Sequence, residues 1–466
     1  MLTKNKITSE LKKILPKENI LSTKEECYVY SQDGTNGISG DIPPSVVVFP
    51  ETVEQVQQIV KFANANKISV TARGAGTNLV GGCINETGGI ILNFTKMNKI
   101  LEVSKTNMTI KVQAGAVIGE IQKAVEEVGL FFPLDPSNLI VSTIGGAIAQ
   151  SAGGPKTFKY GSTKDFVLGL KVILANGDII QTGSSMIKNA TGYHLEQLFI
   201  GSEGTLGLVV EATLKLIPKP ETSRVMLVFF DDVEKPTLSV NNLIDEHIWA
   251  STIEFMDKNA ITTIENFNPT GLLVVGSEAG LIVEIDGFEC SMDTQIERSK
   301  RVLEQSGATK IIISKTKEEQ EKIWQARRQS FPATASLKPD VMSNDLIVPR
   351  DKISELVKGI HEICNKYNLP VSTVGHIGDG NLHPQIALDF NNKDEVERYK
   401  KIKDELYELT LKLGGNLSAE HGIGLDKRKF INKAIDNSTL KLMRTIKKTL
   451  DKNNILNPNK IFKLEE

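Results

Sequence analysis

The chain has 466 residues, enough for two or three domains with substantial cores. A formal net charge of −2 at pH 7 excludes bulk-charge binding of polyanions, so no nucleic-acid partner is expected. The four cysteines, Cys27, Cys83, Cys290 and Cys364, are scattered without a CxxC pair; this excludes a zinc ribbon or iron–sulfur cluster built on local cysteines and suits a reducing cytoplasm.

In chain order, a charged amphipathic helix is expected at residues 7–14. It has no apolar signal core, and no apolar run reaches the roughly 18 residues of a membrane span, so neither signal peptide nor span is expected. Pro43-Pro44 opens a predicted strand over 45–49. Thr52-Val53-Glu54-Gln55 reads as a capping box, and the helix behind it places Val53, Val56, Ile59, Val60 and Ala63 on one face. A strand over 68–72 then runs into Arg73-Gly74-Ala75-Gly76-Thr77-Asn78-Leu79-Val80-Gly81-Gly82. This is not a Rossmann fingerprint, because Leu79 stands where the third glycine belongs and a strand over 88–94 follows instead of a helix. Unhindered amides between two strands can form an anion nest, so a phosphate is expected there. The alternative is a long glycine-rich hairpin with no ligand.

A second glycine region runs from Asp135-Pro136-Ser137 through Thr143-Ile144-Gly145-Gly146-Ala147 to Ser151-Ala152-Gly153-Gly154. It is too poor in charge for a surface linker and too rich in glycine for a stable helix, so it reads as a wall against a flat ligand. A hairpin over 170–182 turns on Asn176-Gly177. The third loop, Gly201-Ser202-Glu203-Gly204-Thr205-Leu206-Gly207, precedes a strand over 208–216, and Pro218 and Pro220 close a domain. From about 221, strands (224–230, 280–286) alternate with polar helices (293–305), an α+β pattern. A last helix at 438–452, carrying Leu440, Met443, Ile446 and Leu450, leads to Asn457-Pro458-Asn459-Lys460.

Two motifs carry chemistry. Gly375-His376-Ile377-Gly378-Asp379-Gly380-Asn381-Leu382-His383 reads as a hairpin turning on Asp379-Gly380, pairing Gly378 with Asn381, Ile377 with Leu382 and His376 with His383. Opposed residues hold their Cβ atoms roughly 4.5–5.5 Å apart, so the two imidazoles could grip one metal ion. In Ser418-Ala419-Glu420-His421-Gly422-Ile423-Gly424, Glu420 could supply a third ligand. On an extended backbone His421 would point to the other face, which leaves it for proton transfer. The plainer alternative is two turn-flanking histidines bonded to each other or to water, and a surface Glu420.

Residues 44–49 with the following helix, 73–82, 135–154 and 201–210 together resemble the FAD domain of the vanillyl-alcohol oxidase/PCMH superfamily. Residues 375–384, 418–424 and 457–460 are similar to its D-2-hydroxyacid dehydrogenase branch, the glycolate-oxidase-like flavoproteins. The resemblance covers residues 25–462. It implies an α+β fold: a PCMH-type FAD-binding domain of two α+β subdomains over 1–218, an antiparallel-sheet cap domain for substrate and metal over 219–425, and a C-terminal segment over 426–466 that packs back on the FAD domain. It implies pyrophosphate contacts from the backbone amides of Gly74, Ala75, Gly76, Thr77 and Asn78, with Arg73 also at the cofactor. Ser137, Thr143, Gly146 and Gly153 would line the ribityl chain and flavin, with Pro136, Gly145, Ser151, Gly204, Gly207, Val209 and Asn457 also at the cofactor. Several relatives tether FAD through a His where this chain has Thr77, so the FAD is expected to be non-covalent.

The resemblance also implies a reaction. Arg327 aligns with an arginine that binds the substrate carboxylate, and Arg328 is the adjacent alternative. Some relatives carry a lysine near Ser343 that holds a larger dicarboxylate, so the serine argues for a small monocarboxylate. The implied chemistry is oxidation of a D-2-hydroxy acid, with D-lactate to pyruvate the leading expectation. Hydride passes to the flavin, His421 is the base, and a divalent ion (Zn, Fe or Mn) on His376, His383 and Glu420 polarises the hydroxyl. The chain has neither a cluster motif nor an NAD site, so a separate electron-acceptor protein is implied. Electron-transferring flavoprotein subunits are expected, by analogy with related D-lactate dehydrogenases. Glycolate or 2-hydroxyglutarate is the alternative substrate, and a non-catalytic flavin relay the alternative of another class.

Overall fold

The computed structural model describes residues 2–38, 40 and 42–464. It divides into two compact units. The first comprises Met1–Gly153, Gly161–Lys219 and Glu420–Glu466; the second comprises Gly154–Tyr160 and Pro220–Ala419. Among the described residues no helix is long and apolar enough to cross a membrane.

The first unit holds two main sheets. One has the strand order Ile20–Leu21, Val46–Val48, Ile90–Asn93, Val70–Arg73. Val46–Val48 and Val70–Arg73 both pair parallel with Ile90–Asn93. Parallel strands need a crossover, and the helix Val53–Ala65 lies between Val46–Val48 and Val70–Arg73 in sequence. Thr52 accepts from the Gln55 amide and Gln55 returns the bond, so the expected capping box is present. Val56, Ile59, Val60 and Ala63 are fully buried, while Val53 is only partly so. Parallel pairing also excludes a hairpin over the first glycine region: residues 74–89 are a crossover loop.

The other sheet is antiparallel, in the order Ile100–Ser104, Thr109–Gln113, Leu208–Lys215, Val167–Ile173, Ile179–Gly183. Its hairpin turns at Asn176-Gly177, but over three residues, 175–177, instead of the expected two: Ile173 pairs with Ile179, the Leu174 amide donates to the Asp178 carbonyl, and Gly177, at φ +85, donates to the Leu174 carbonyl. The second glycine region differs from expectation, because Ile144–Gln150 is a helix despite Gly145 and Gly146. Gly145 donates to the Ala114 carbonyl at 2.8 Å, and a Cβ there would lie 2.8 Å from the Ala114 Cβ. Close packing, not propensity, places this helix. The terminal helix Asn437–Leu450 is bound to the same unit by Lys447, which is buried and donates to the Thr205 and Leu456 carbonyls (2.8 Å each) and to Asp451 (2.5 Å).

The second unit is built on an eight-stranded antiparallel sheet. Its order is Lys310–Ile313, Thr222–Phe230, Ala279–Gly287, Thr252–Asp257, Val371–His376, Asn381–Leu388, Asp340–Ser343, with Leu346–Ile347 also paired to Asn381–Leu388. One face carries Leu227, Ile282, Met256 and Val374, packed with Ile261 and Ile264 of the helix Lys258–Phe267, Ile323 of Lys317–Arg328 and Ala333 of Ser330–Ala335. Residues 154–160 belong to this unit for polar as well as apolar reasons. Lys159 pairs with Asp286, Tyr160 donates to Asp286 at 2.8 Å, Lys156 meets Glu284 at 3.4 Å, and Phe158 stacks on Trp249 with ring centroids 6.0 Å apart.

Candidate functional site

In the second unit the histidine hairpin forms, but two residues out of the expected register. His376 pairs with Asn381, Gly375 with Leu382 and Val374 with His383, so the turn holds four residues, 377–380, instead of two. Ile377 is fully buried and anchors that turn, and the Gly380 amide donates to its carbonyl. Gly380 sits at φ +84 where any Cβ would strike the Val348 carbonyl. A shift of two preserves the face of every side chain. His376 and His383 thus become diagonal neighbours on one face, with ring centroids 5.2 Å apart and planes at 79°.

The strand Thr252–Asp257 places Glu254 directly opposite both His376 and Ile282. Glu254 is 1% exposed; its Oε1 accepts from His376 Nδ1. Its Oε2 accepts from Arg327 Nε at 3.0 Å and Nη2 at 2.8 Å. No sequence motif pointed to this residue. Its only advance signal was an acid inside a strand whose neighbours Ile253, Phe255 and Met256 are apolar. Burial alone would raise its carboxyl; its contacts with the His376 ring and the Arg327 guanidinium outweigh that and hold it below the ordinary value.

Arg327 reaches Glu254 from the last turn of the helix Lys317–Arg328. Thr316 caps that helix at one end, and arginines in its last turn suit the dipole at the other. Ala326 is buried and Arg327 nearly so, whereas Arg328 is half-exposed and pairs with Glu321 at the surface. The two arginines therefore separate into an inward and an outward one.

His383 Nδ1 donates to the Asn344 carbonyl at 3.3 Å. With Nδ1 carrying hydrogen in both rings, Nε2 is the nitrogen that keeps a lone pair. A ligand nitrogen from each ring lies within 4.8 Å of the other. Imidazoles oriented through Nδ1 by a carboxylate and a backbone carbonyl are the arrangement in which histidines hold a divalent transition ion, so the residues fit one. Ser343 lies cross-strand from Gln385, two residues beyond His383 on the same face.

The chain end of this unit is fixed beside the hairpin. Asp345 is fully buried; its Oδ1 accepts from Asn381 Nδ2 at 2.8 Å, and its Oδ2 accepts from Ser418 Oγ at 2.5 Å and the Ala419 amide at 3.0 Å. Glu420 is the next residue, assigned to the first unit. Residues 419–421 form a bend, not an extended strand, and Glu420 Oε1 lies 3.7 Å from His421 Nε2. The expectation that the two side chains take opposite faces is therefore corrected.

In the first unit the three glycine regions meet. A Cβ on Gly74 would strike Thr143 Oγ1, and Thr77 Oγ1 lies 3.2 Å from Ser142 Oγ. The Gly201 and Glu203 amides donate to the Ile148 and Ala149 carbonyls at 2.9 and 2.8 Å. Gly204, at φ +70, would put a Cβ 3.8 Å from Ala72. Among the described residues, the amides of 75–79 donate to no protein acceptor. Such a run of amides, closely backed by a second loop, fits a pyrophosphate. Arg73 donates to the Gln32 carbonyl at 2.6 Å and lies over Tyr30, and Gly76 at φ +80 has no room for a Cβ beside the Arg73 guanidinium. Asn78 accepts from the Val80 and Gly82 amides.

The remaining expected contacts divide by environment. Ala75, Ser137 and Gly146 are exposed and Pro136 half-buried, whereas Gly153 is buried and Ser151 ends its helix at φ +53. Gly207 packs on Val172 and Phe199, and Val209 pairs with Val172 in the sheet. Asn457 Nδ2 donates to the Gly82 carbonyl at 2.9 Å and the Glu203 carbonyl at 2.7 Å. Glu203 is a second residue that no motif flagged. It is 4% exposed and accepts from the Ile423 amide at 2.7 Å and the Gly424 amide at 2.9 Å, which fixes the loop behind His421. Burial pushes its carboxyl up despite those amides.

Known proteins match this architecture along its whole length. Residues 44–183 match an FAD binding domain, and residues 219–461 match the FAD linked oxidases, C-terminal domain. The glycolate oxidase subunit GlcD of Bacillus subtilis is 38% identical over 462 residues, covering 99% of this chain and 97% of the relative. The D-lactate dehydrogenase of Anaerostipes hadrus is 33% identical, with 98% of each chain covered. The crystal structure of p-cresol methylhydroxylase with substrate bound superposes with a TM-score of 0.84 at 19% identity, over 99% of this chain and 97% of that one, which establishes the shared fold. The chain therefore belongs to the FAD-linked oxidase family and is an FAD-dependent oxidoreductase of the p-cresol methylhydroxylase fold.

Proposed function

We propose that this protein oxidises a small D-2-hydroxy acid, D-lactate first, to the 2-oxo acid. The observation that carries this reading is the connected set of His383, His376 and Glu254 on one sheet face with Arg327 reaching them from the helix Lys317–Arg328, a metal-type imidazole pair beside an inward arginine. FAD, when bound non-covalently in the glycine loops, supplies the hydride acceptor that no side chain can be. A divalent ion (Zn, Fe or Mn), when held by His376, His383 and Glu420, supplies Lewis acidity toward the substrate hydroxyl. Glu420 is the ligand that chain continuity supports, since Ala419 before it is pinned by Asp345, next to the Asn344 carbonyl that orients His383.

Arg327 binds the substrate carboxylate, and its bond to Glu254 sets the plane in which the guanidinium is presented. His421 takes the hydroxyl proton as general base, on a loop that Glu203 holds through the Ile423 and Gly424 amides. Ser343 offers no cation for a second carboxylate, which favours a monocarboxylate. A separate acceptor protein, the subunits of an electron-transferring flavoprotein in this reading, takes the electrons, and the chain works in the cytoplasm.

Glycolate is the second reading, favoured by the 38% identity to a glycolate oxidase subunit. Anaerobic stopped-flow bleaching of the flavin, with no acceptor present, tests both. D-Lactate should bleach the wild type faster than glycolate, D-2-hydroxyglutarate or L-lactate. His421→Asn should keep FAD and slow bleaching about 10²- to 10⁴-fold. A wild type that no hydroxy acid bleaches overturns the proposal.

A further inference from the structure

The Glu254 carboxylate touches two functional groups at once. Oε1 meets the ring nitrogen of His376 that faces away from the lone pair; Oε2 takes two hydrogens from Arg327. It sits in the register of the sheet, directly opposite His376, and Met256 beyond it on the same face is sealed in the apolar core. A buried carboxylate so placed has little freedom to follow one partner and release the other. We infer that Glu254 is a positioning residue shared by the two halves of the site, setting the metal-binding imidazole with one oxygen and the substrate-binding guanidinium with the other.

This inference rests on the proposed roles of His376 and Arg327. It makes a chemical demand that simple core packing does not. Both partners are donors, so the residue between them must accept on both sides. The Glu254→Gln side chain has one acceptor oxygen and one donor nitrogen. It keeps the size and loses one partner whichever way it turns. Glu254→Ala loses both.

The test uses the purified FAD-bound protein, with Zn²⁺ alone as metal probe in a chelator competition and with steady-state kinetics on the hydroxy acid that bleaches the wild type. Losing an orienting partner of a metal-bound histidine weakens metal binding about 10- to 100-fold. Glu254→Ala is expected to lose at least about tenfold in Zn²⁺ affinity and to raise KM by at least about tenfold. In Glu254→Gln at least one of the two readouts should move that far. If Glu254→Ala moves only one readout, or neither while its thermal midpoint drops, the shared role is refuted and Glu254 is a structural buried acid. If Glu254→Ala does not fold, Glu254→Gln decides, and wild-type values in both readouts overturn the inference. Failure of the functional reading looks different: the wild type itself would then bind no Zn²⁺, or His376→Ala would bind it as well as the wild type does.

Discussion

Gly145 and Gly146 are adjacent in one short helix and should respond oppositely to the same added methyl group. At Gly145 the new Cβ would lie 2.8 Å from the Ala114 Cβ and 2.9 Å from the Ala114 carbonyl oxygen, against a residue that is itself 2% exposed. Neither atom is the end of a flexible side chain, so the helix must move. Overpacking of this kind costs about 1–3 kcal/mol, and the gain in helix propensity returns about 1 kcal/mol at most, leaving a net loss of up to about 2 kcal/mol. At Gly146 the nearest atom would be Thr143 Oγ1 at 3.3 Å, with nothing else within 4 Å. Gly146→Ala should therefore stabilise the FAD-free protein by about 0.5–1 kcal/mol. If this exposed face is the wall that FAD presses against, the same methyl group should weaken FAD binding. Urea unfolding of the apoprotein and calorimetric titration with FAD separate the two effects. Wild-type FAD affinity in Gly146→Ala would remove this helix face from the cofactor site. Wild-type stability in Gly145→Ala would show that the Ala114 contact relaxes freely.

Arg327→Ala should lower kcat/KM by about 30- to 150-fold, the loss of a charge-assisted carboxylate contact worth about 2–3 kcal/mol, while Arg328→Ala, whose surface pair with Glu321 is half-exposed, should change both kinetics and stability little. Steady-state assays of the two variants check this, and a larger loss at Arg328 refutes the assignment. Lys447→Met should destabilise the apoprotein by about 3–5 kcal/mol, because it leaves buried Asp451 without its cation and two carbonyls without a donor; thermal unfolding reads it. Lys460 gives a pH dependence. Burial lowers its pKa from 10.5 to about 8, so the unfolded chain holds this proton more tightly than the folded one and stability rises with pH through that window. Between pH 7 and 9 the apoprotein should gain about 1 kcal/mol from this group, a gain absent in Lys460→Met. The half-buried Cys83 and buried Cys364 thiols, pushed up from 9.0 to about 12, work in the opposite direction as pH rises through 9, so the gain is read as the difference between wild type and Lys460→Met, which share that loss.

The sequence made legible those parts of the site whose chemistry is local. A capping box, an Asn-Gly turn and a glycine-framed pair of histidines each confine their signal to a few residues, and each forms. The register of the histidine hairpin was not legible. The Asp379-Gly380 step looks like a complete two-residue turn until the buried side chain of Ile377 and the Val348 carbonyl under Gly380 enlarge it to four. The helix over 144–150 was hidden for the converse reason. Propensity counts two glycines against it, and the close approach to Ala114 that requires one of them lies thirty-odd residues away in the chain. The parallel partner of the strand after the first glycine loop was equally invisible, since a crossover loop and a long hairpin have the same local composition.

Glu254 shows where such limits matter for function. It lies 122 residues from His376 and 73 from Arg327 in sequence, and only sheet register brings the three together. A strand that buries both faces gives no alternating pattern by which an inward acid could be told from an outward one. Burying a carboxylate is expensive unless cations and donors surround it, so an acid in an otherwise apolar strand implies partners before any are visible. The same reasoning applies to Glu203, an acid in a small-residue loop whose partners are two backbone amides more than two hundred residues on. In both cases the buried acid fixes a segment that carries a proposed ligand or base. Rigid placement of such groups by satisfied polar contacts is what a hydride-transfer site needs, because misplacement by about 1 Å can cost roughly 10²-fold in rate.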